Sequence, residues 1–276
     1  MPELPEVETV CRGIRPSLEG GYIDQVLVRN PSLRQPIPEY FADELIGECI
    51  ESVERRAKYI ILKTKGKRAI IWHLGMSGRV SVVEASEPEF EKHDHVAFHI
   101  KNGPWIVYND TRRFGLMVMC QKDELENHKL LKDIGPEPLS NSFNGPMLHD
   151  KLKGKRVPIK QALLDQRVVA GVGNIYACEA LFRTKISPIV EAGSITLTKL
   201  EELCRIIRDV LLEAIEAGGS TLKDHAQVDG ELGYFQHQFQ IYGRVGEVCV
   251  NKICKTKIKR ITQSARSTFY CPTCQN

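Results

Sequence analysis

The residues best suited to covalent chemistry lie in the run Met1-Pro2-Glu3-Leu4-Pro5-Glu6. Removal of the first methionine would leave Pro2 with a secondary α-amine, whose reference pKa of about 8 leaves much of it uncharged at neutral pH. Such an amine attacks aldehyde-like carbons to give a cationic iminium, and Glu3 and Glu6 are placed to move protons around it. The same run also fits a plain helix start, with Pro5 in the first turn and carboxylates that complement the helix dipole. The residues alone leave both interpretations open.

Four of the nine cysteines cluster near the carboxyl end of the chain, as Cys249-x4-Cys254 and Cys271-x2-Cys274. Sixteen residues, the length of a hairpin, separate the two pairs. This spacing is typical of two knuckles that present four thiolates to one Zn²⁺. The other cysteines share no spacing and indicate buried or incidental thiols in a reducing compartment. We therefore predict one structural zinc ion per chain.

Basic residues concentrate in residues 241–276, which hold seven lysines and arginines and one acidic residue. That segment carries a net charge of +6, which leaves −3 for the rest of a chain whose total is +3. A second basic run lies within residues 151–160. Local concentrations of this kind suit a polyanion, although a solvated charged surface has the same composition.

Two glycine-bearing turns combine an apolar side chain with polar groups, at residues 73–78 (HLGMSG) and 110–115 (DTRRFG). An apolar tip beside an arginine suits a wedge that enters a base stack and fills the space left by a displaced base. A hairpin with a surface Asp–Arg pair and an inward methionine has the same pattern. Farther along, Gly171-Val172-Gly173-Asn174 puts Asn174 at a helix N-terminus, either as a plain cap or as part of a phosphate site.

Short β-branched or aromatic segments, punctuated by Gly, Pro or Asn, predict a β-sandwich or barrel in the first half of the chain. These segments are residues 25–28, 59–62, 69–73, 80–83, 96–100, 105–108 and 116–119. A helix precedes them, with Val7, Val10 and Ile14 at helical spacing. No run approaches the ~18 apolar residues that a membrane span needs, and we expect a cytoplasmic protein.

From about residue 135 the pattern becomes helical, and prolines and polar residues up to 144 mark a boundary. The clearest helix is predicted to begin at the capping box Thr198-x-x-Glu201 and to end at Gly218-Gly219. Its apolar face is Leu200, Leu203, Ile207, Val210, Leu211 and Ile215. Residues 220–237 are aperiodic, which is typical of a functional or mobile loop.

Short motifs from end to end of the chain resemble those of the bacterial formamidopyrimidine-DNA glycosylase family, oxidised-purine repair enzymes with a helix-two-turns-helix domain. The motifs are Pro2-Glu3-Leu4-Pro5-Glu6, Arg55-Arg56-Ala57-Lys58-Tyr59, residues 73–78, Arg112-Arg113-Phe114-Gly115, Leu164-Asp165-Gln166 through Gly173-Asn174-Ile175-Tyr176, Tyr242-Gly243-Arg244 and Cys271-Pro272-x-Cys274-Gln275. Each motif is short, but seven of them in the family's order are specific.

The resemblance implies an α+β fold in three parts. A β-sandwich with flanking helices would span residues 1–134, a helical helix-two-turns-helix domain 135–240, and a zinc-binding β-hairpin 241–276. The implied activity is that of a base-excision repair glycosylase and abasic-site lyase that removes 8-oxoguanine and formamidopyrimidines and cleaves the strand by β,δ-elimination. Its expected partner is double-stranded DNA containing oxidised purines, bound by a monomer at the bacterial nucleoid, with one structural Zn²⁺ and no membrane contact.

The resemblance also implies roles for individual residues. The catalytic set is Pro2 as nucleophile at the sugar C1′, Glu3 as the acid or base that assists ring opening, Glu6 as a supporting carboxylate, and Lys58 near the lesion and its phosphate. The residues that fill the gap and pair with the orphaned base are Met76, Arg112 and Phe114. The phosphate contacts are His73, Lys160, Asn174, Tyr242 and Arg266. The loop 219–234, with Ser220, Thr221 and His225, corresponds to the flap that closes over a flipped 8-oxoguanine.

Three positions depart from the family pattern. The first cysteine pair has a four-residue spacer where the family usually has two, which bears on the position of the hairpin tip near Arg266. His225 stands where relatives tend to carry an aromatic ring. Cys11 stands where arginine is usual, and the sequence assigns it no role.

Two other functions fit parts of the pattern. Endonuclease VIII type glycosylases act on oxidised pyrimidines, but they begin Pro-Glu-Gly-Pro-Glu, and Leu4 favours the purine-directed branch. A non-enzymatic zinc-ribbon protein that binds damaged DNA would keep Asn174 and the four clustered cysteines. Such a protein would have no need for Pro2, Glu3 and Lys58 together.

Overall fold

The structure, a computed structural model, describes residues 1–86, 88–220, 228 and 233–276. The chain forms two compact units. The first contains Met1–Lys132 together with Ala217–Tyr234, and the second contains Asp133–Glu216 together with Phe235–Asn276. The three-part division at residues 134 and 240 stays a prediction.

The first unit is a β-sandwich of two antiparallel four-stranded sheets, as the sequence predicts. One sheet has the order β1-β6-β7-β5, with β1 at Ile23–Val28, β5 at Arg79–Val83, β6 at Asp94–Ile100 and β7 at Trp105–Asn109. The other has the order β2-β3-β4-β8, with β2 at Ile50–Arg56, β3 at Tyr59–Thr64, β4 at Arg68–His73 and β8 at Leu116–Gln121. Helix α1 (Leu4–Leu18) precedes the strands, and 3₁₀ turns lie at Glu39–Phe41 and Lys122–Asn127.

Apolar side chains from both sheets form one core between them. Trp72 of β4 is fully buried there and packs edge-on against Tyr108 of β7, with ring centroids 5.2 Å apart. Val7, Val10 and Ile14 of α1 are buried in the same core, as their helical spacing predicts. One core therefore holds the start of α1 and the strands that lead into the two glycine-bearing turns.

Strand β2 is absent from the strands that the sequence predicted. Its buried residues, Ile50 and Val53, are three positions apart, and the pairing with β3 shifts register between Ile50 and Ser52. Such a bulge breaks the two-residue alternation by which strands are recognised. β2 also lies at the edge of its sheet, where charged or polar residues fill its other positions.

The second unit combines helices with a β-hairpin. Its helices are α2 (Gly145–Leu152), α3 (Ile159–Leu164), α4 (Asn174–Arg183) and α5 (Leu197–Glu216), its hairpin strands are β9 (Lys259–Gln263) and β10 (Arg266–Tyr270), and 3₁₀ turns lie at Ala192–Ser194 and Phe235–Gln238. The hairpin region packs on α4, where Phe182 joins Ile258 and Phe269 in one buried cluster. Within the described ranges, no helix is both long and apolar enough to cross a membrane.

Helix α5 begins one residue earlier than the sequence predicts. It starts at Leu197, and the hydroxyl of Thr196 accepts a hydrogen bond from the Lys199 N–H at 3.4 Å. The predicted capping box at Thr198 is therefore wrong, because the threonine two positions before it caps the helix instead. The predicted apolar face, which includes Leu203 and Val210, is buried throughout.

Candidate active site

The amino-terminal residues Pro2, Glu3 and Glu6 are buried at the start of α1, and the side chain of Met1 is 48% exposed. The Glu3 N–H donates to Glu6 Oε2 at 2.8 Å, and the two glutamates form a reciprocal capping box. The two interpretations of this run are therefore compatible. The capping box that starts the helix also fixes the carboxylates of Glu3, directly after Pro2, and of Glu6, one helical turn further on.

The second oxygen of the Glu6 carboxylate holds the beginning of the loop 219–234. Glu6 Oε1 accepts hydrogen bonds from both the N–H and the hydroxyl of Ser220, each at 2.9 Å. Gly219 has φ +81°, and a Cβ there would lie 3.2 Å from Glu6 Cγ. Ser220 also forms an antiparallel bridge with Tyr234 at the other end of the loop. The other two residues assigned to this loop, Thr221 and His225, lie outside the described residues.

Lys58 lies in the two-residue turn between β2 and β3, where Ala57 adopts φ +52° and Arg56 pairs with Tyr59. The lysine is only 7% exposed. Its charge acts on the end of β4, since it is one of the cations that lower the pKa of His73. The turn thus places a buried ammonium group next to the end of β4.

His73 ends β4 and is neutral at physiological pH. Burial, followed by the charges of Arg34 and Lys58, lowers its pKa to about 4, although Asp110 opposes the shift. Its Nδ1 accepts a hydrogen bond from the Gly75 N–H at 2.9 Å. The single ring proton of the neutral imidazole therefore sits on Nε2, which makes that nitrogen a hydrogen-bond donor.

The two glycine-bearing turns carry their apolar tips outward. Met76 is 38% exposed and Phe114 is 46% exposed. The guanidinium of Arg112 lies over the Phe114 ring, 4.7 Å from its centroid. Asp110 is fully buried, so the alternative of a surface Asp–Arg pair with an inward methionine is wrong. The structure instead presents the apolar side chains and the arginine together.

Asn174 is the first residue of α4 and does not cap the helix. The N-cap is Gly173, which has no side chain to cap with, so the plain-cap interpretation is wrong. The Asn174 amide donates to the carbonyl of Ser267 at 2.9 Å and to the hydroxyl of Tyr242 at 3.5 Å. Lys160, fully buried on α3, donates to the same Ser267 carbonyl at 3.2 Å. Residues from α3, α4 and the segment after α5 thus converge on strand β10.

Glu179 is a residue that the sequence analysis did not single out. It is fully buried on α4, and its carboxylate accepts hydrogen bonds from three successive backbone N–H groups, those of Gln240, Ile241 and Tyr242, at 2.9–3.0 Å. A buried carboxylate needs such donors. In the sequence, Glu179 stands out only as a charged residue within the apolar helix after Asn174, since a buried charge there must be hydrogen-bonded.

The hairpin tip presents Arg266 to solvent opposite Gln263. The two residues between them, Ser264 and Ala265, have φ values of +45° and +58°. A two-residue turn with both residues in this region matches the right-handed twist of the flanking strands. The four-residue spacer in the first cysteine pair leaves this hairpin intact.

The four clustered cysteines lie in the geometry of a zinc site. The Sγ atoms of Cys249 and Cys274 are 3.9 Å apart, those of Cys254 and Cys271 are 3.7 Å apart, and all four lie within 4.8 Å of one another. Tetrahedral Zn²⁺ with Zn–S bonds of about 2.3 Å requires separations close to these. The backbone N–H and hydroxyl of Thr256 lower the pKa of Cys254 to about 7, which favours the thiolate that binds metal. The predicted zinc site is confirmed.

The scattered cysteines are buried, with the exception of the half-buried Cys120. Cys11 packs in the core of the first unit, and its thiol lies 3.6 Å from the carbonyl of Glu54. Burial raises its pKa to about 12, which keeps it a neutral thiol. The positive charges of Arg55 and Arg15 oppose this rise without overcoming it.

Comparison with known proteins places these features in one family. The model of the formamidopyrimidine-DNA glycosylase N-terminal domain matches residues 1–117, that of the glycosylase H2TH domain matches 134–226, and that of a zinc finger found in FPG and IleRS matches 246–276. Formamidopyrimidine-DNA glycosylases of Ruegeria pomeroyi and Roseobacter denitrificans are each 51% identical, over the full length of both chains.

Solved structures show the same similarity. A mutant Lactococcus lactis FPG in complex with Fapy-dG containing DNA superposes with a TM-score of 0.91 at 34% identity, with full coverage of both chains. The Lactococcus lactis Fpg bound to abasic site containing DNA gives a TM-score of 0.89, also at 34% identity and full coverage. A β-sandwich, an H2TH domain and a four-cysteine zinc finger in this order define a base-excision repair glycosylase. The chain belongs to the formamidopyrimidine-DNA glycosylase family, which confirms the resemblance seen in its motifs.

Proposed function

We propose that this glycosylase excises oxidised purines from duplex DNA with Pro2 as its nucleophile and then cleaves the strand as an abasic-site lyase. The observation that carries the assignment is the buried run Pro2-Glu3 at the start of α1, where the capping box fixes the carboxylates of Glu3 and Glu6. The Lactococcus lactis relatives bound to Fapy-dG containing and abasic site containing DNA support the substrate class.

The chemistry follows from a secondary amine. The neutral Pro2 nitrogen attacks the sugar C1′, the damaged base leaves with the bonding electrons, and Glu3 supplies the proton that opens the sugar ring. The resulting iminium acidifies the C2′ hydrogens, so that a base can remove one and expel the 3′ phosphate, and a second elimination expels the 5′ phosphate. One covalent intermediate thus serves both activities.

We propose that hydrogen-bond donors in each of the two units bind the phosphates of the DNA backbone, because phosphate contacts set the register of a protein on DNA. In the first unit these donors are Lys58 and the Nε2–H of neutral His73. In the second unit they are Asn174, Tyr242 and Arg266. We propose that Lys160, which is fully buried and donates to Ser267 and Thr268, contributes to phosphate binding through the hairpin that it braces. Zn²⁺ held by the four cysteines would keep the hairpin folded and would take no part in the reaction.

We further propose three domains with boundaries at residues 134 and 240, a loop with Thr221 and His225 that covers the lesion, and a monomer that works at the bacterial nucleoid.

Borohydride trapping tests the proposed function. Purified protein is mixed with a duplex that contains one 8-oxoguanine, reduced with borohydride, and measured as intact mass with and without DNA. We expect the free protein to have the mass of a chain without Met1, and the trapped product to add the mass of the cleaved or uncleaved strand. A duplex with guanine in place of the lesion is the control and should give no adduct. An unmodified mass after reduction on the lesion duplex would refute the proposal.

Phe114→Ala is expected to slow excision of 8-oxoguanine from duplex DNA by about 10- to 100-fold, because the ring occupies the stack that the lesion leaves. Cleavage of a preformed abasic site should fall by less than about threefold, since an exposed sugar does not require the same unstacking. Single-turnover rates on the two substrates measure the difference. Equal losses on both would mean that Phe114 lies at the reaction centre or holds the fold.

A further inference from the structure

We propose that Asp110 is a positioning residue that joins the two glycine-bearing turns into one rigid wedge. The proposal rests on the proposed function, because it concerns how Met76, Arg112 and Phe114 are held during extrusion of the lesion. Asp110 directly follows β7 and is fully buried, so it does not reach the surface. It acts through the backbone and the hydroxyl groups around it.

One oxygen of the Asp110 carboxylate connects the two turns to each other. Oδ1 accepts a hydrogen bond from the hydroxyl of Ser77 at 2.5 Å and from the N–H of Arg112 at 3.3 Å. The Ser77 oxygen in turn accepts from the same Arg112 N–H at 3.1 Å. Ser77, which follows Met76, and the backbone of Arg112 therefore both donate hydrogen bonds to Asp110 Oδ1.

The other oxygen fixes the far side of the second turn. Oδ2 accepts from the N–H of Gly115 at 2.8 Å and from the hydroxyl of Tyr108 at 3.1 Å. Tyr108 is fully buried in the core between the two sheets. Phe114 thus lies between Arg112 and Gly115, whose N–H groups both donate hydrogen bonds to the Asp110 carboxylate. The core anchors that carboxylate through Tyr108.

The backbones of the two turns also touch directly. A Cβ at Gly75 would collide with the backbone of Phe114 and Gly115, and one at Gly115 would collide with the Tyr108 hydroxyl. Only glycine permits this approach at Gly75, which also has φ +70°. The contact lets one turn support the other when either meets a base stack. The carboxylate then holds the two in register.

A buried carboxylate is the side chain that this arrangement needs. Four donors point at Asp110, and two of them, the N–H groups of Arg112 and Gly115, cannot rotate away. A carboxylate offers acceptor sites on both oxygens, whereas an amide offers them on one. Asp110→Asn either turns its NH₂ group toward the Gly115 N–H, which then has no acceptor, or turns it toward the Ser77 hydroxyl, which then loses the acceptor that ties it to residue 110.

The test compares two substrates for the full-length Asp110→Asn protein. We expect excision of 8-oxoguanine from duplex DNA to slow by about 10- to 100-fold, the range expected when one or two charge-assisted hydrogen bonds are removed. Cleavage of a preformed abasic site should slow by less than about threefold, as for Phe114→Ala, because its sugar is already exposed. The same lesion placed in an unpaired bubble should regain most of the rate.

Asp94→Asn is the matched control for the loss of a buried carboxylate. Asp94 is 8% exposed at the start of β6, and its carboxylate bonds the side chain of Asn109 and the N–H of Glu91 rather than either turn. Asp94→Asn should lower thermal stability, and it should change the rates on the duplex lesion and on the abasic site by the same factor. The inference is overturned if Asp110→Asn slows both substrates equally, or leaves duplex excision unchanged. Failure of the wild-type protein on both substrates would count against the proposed function instead.

Discussion

Chains with an extension ahead of Pro2 are expected to lose excision of 8-oxoguanine by roughly 10³-fold or more, because removal of a catalytic nucleophile costs losses of this size. An extension converts the Pro2 nitrogen into an amide, which has no lone pair available for attack on C1′. Retention of Met1 should have the same effect. The comparison uses single-turnover rates of extended and processed chains whose intact masses have been measured.

Pro2→Gly is expected to give a smaller loss than the extension. Glycine keeps an α-amine with a similar pKa of about 8, but a primary amine gives an imine that must be protonated before it withdraws electrons. Proline gives an iminium that is cationic as soon as it forms. Pro5→Ala removes a proline from the same helix start without changing the amine, and it should keep excision within about threefold of wild type, since a first-turn proline contributes mainly to the helix start.

The binding step separates a chemical loss from a structural one. The extended chain and Pro2→Gly should bind a duplex with an uncleavable abasic-site analogue within about threefold of wild type, because phosphate contacts dominate affinity. Peptide mapping of the reduced adduct should locate it on the α-nitrogen of Pro2. An adduct on Lys58 would contradict the assignment of the nucleophile.

Sequence periodicity predicted most of the fold of the first unit, because burial of one face imposes alternation on its strands. It failed for β2, where the bulge between Ile50 and Ser52 puts inward residues three positions apart. The capping signal misplaced the cap of α5 by two residues, since Thr196 and Thr198 are both capping residue types and only the backbone decides between them. Local signals find elements more reliably than their ends.

Side-chain networks were harder to predict than elements. Asp110 stands two positions before the exposed Arg112 in the sequence, yet its carboxylate is buried and bonds neutral donors such as Ser77 and Tyr108. Glu179 bonds backbone groups some sixty residues farther along the chain. Both depend on contacts between distant segments, which no local pattern encodes. The cysteine spacing did predict the zinc site, because tetrahedral coordination restricts both the spacing of the ligands in the sequence and their positions in the structure.

Cys271→Ala is expected to remove the bound zinc and to weaken binding to duplex DNA by about 10- to 100-fold, because the phosphate contacts of the hairpin need its metal-fixed fold. Cys271 is fully buried and directly follows β10, the strand that begins at Arg266. Metal analysis should find about one Zn²⁺ per wild-type chain and none in the variant. A salt titration should show a slope lower by about one for each phosphate that the variant no longer binds.

Two controls separate the hairpin from the rest of the protein. Cys120→Ala removes a half-buried cysteine of β8 that is not a ligand, and it should keep both zinc and affinity. The two tryptophans of the chain, Trp72 and Trp105, both lie in the first unit, so their fluorescence reports the fold of that unit alone. It should be the same in Cys271→Ala as in wild type, because all four ligands lie in the second unit. If the variant kept its affinity, or if wild type held no zinc, the hairpin would have no place among the DNA contacts, and binding would have to depend on Lys58, His73 and Asn174.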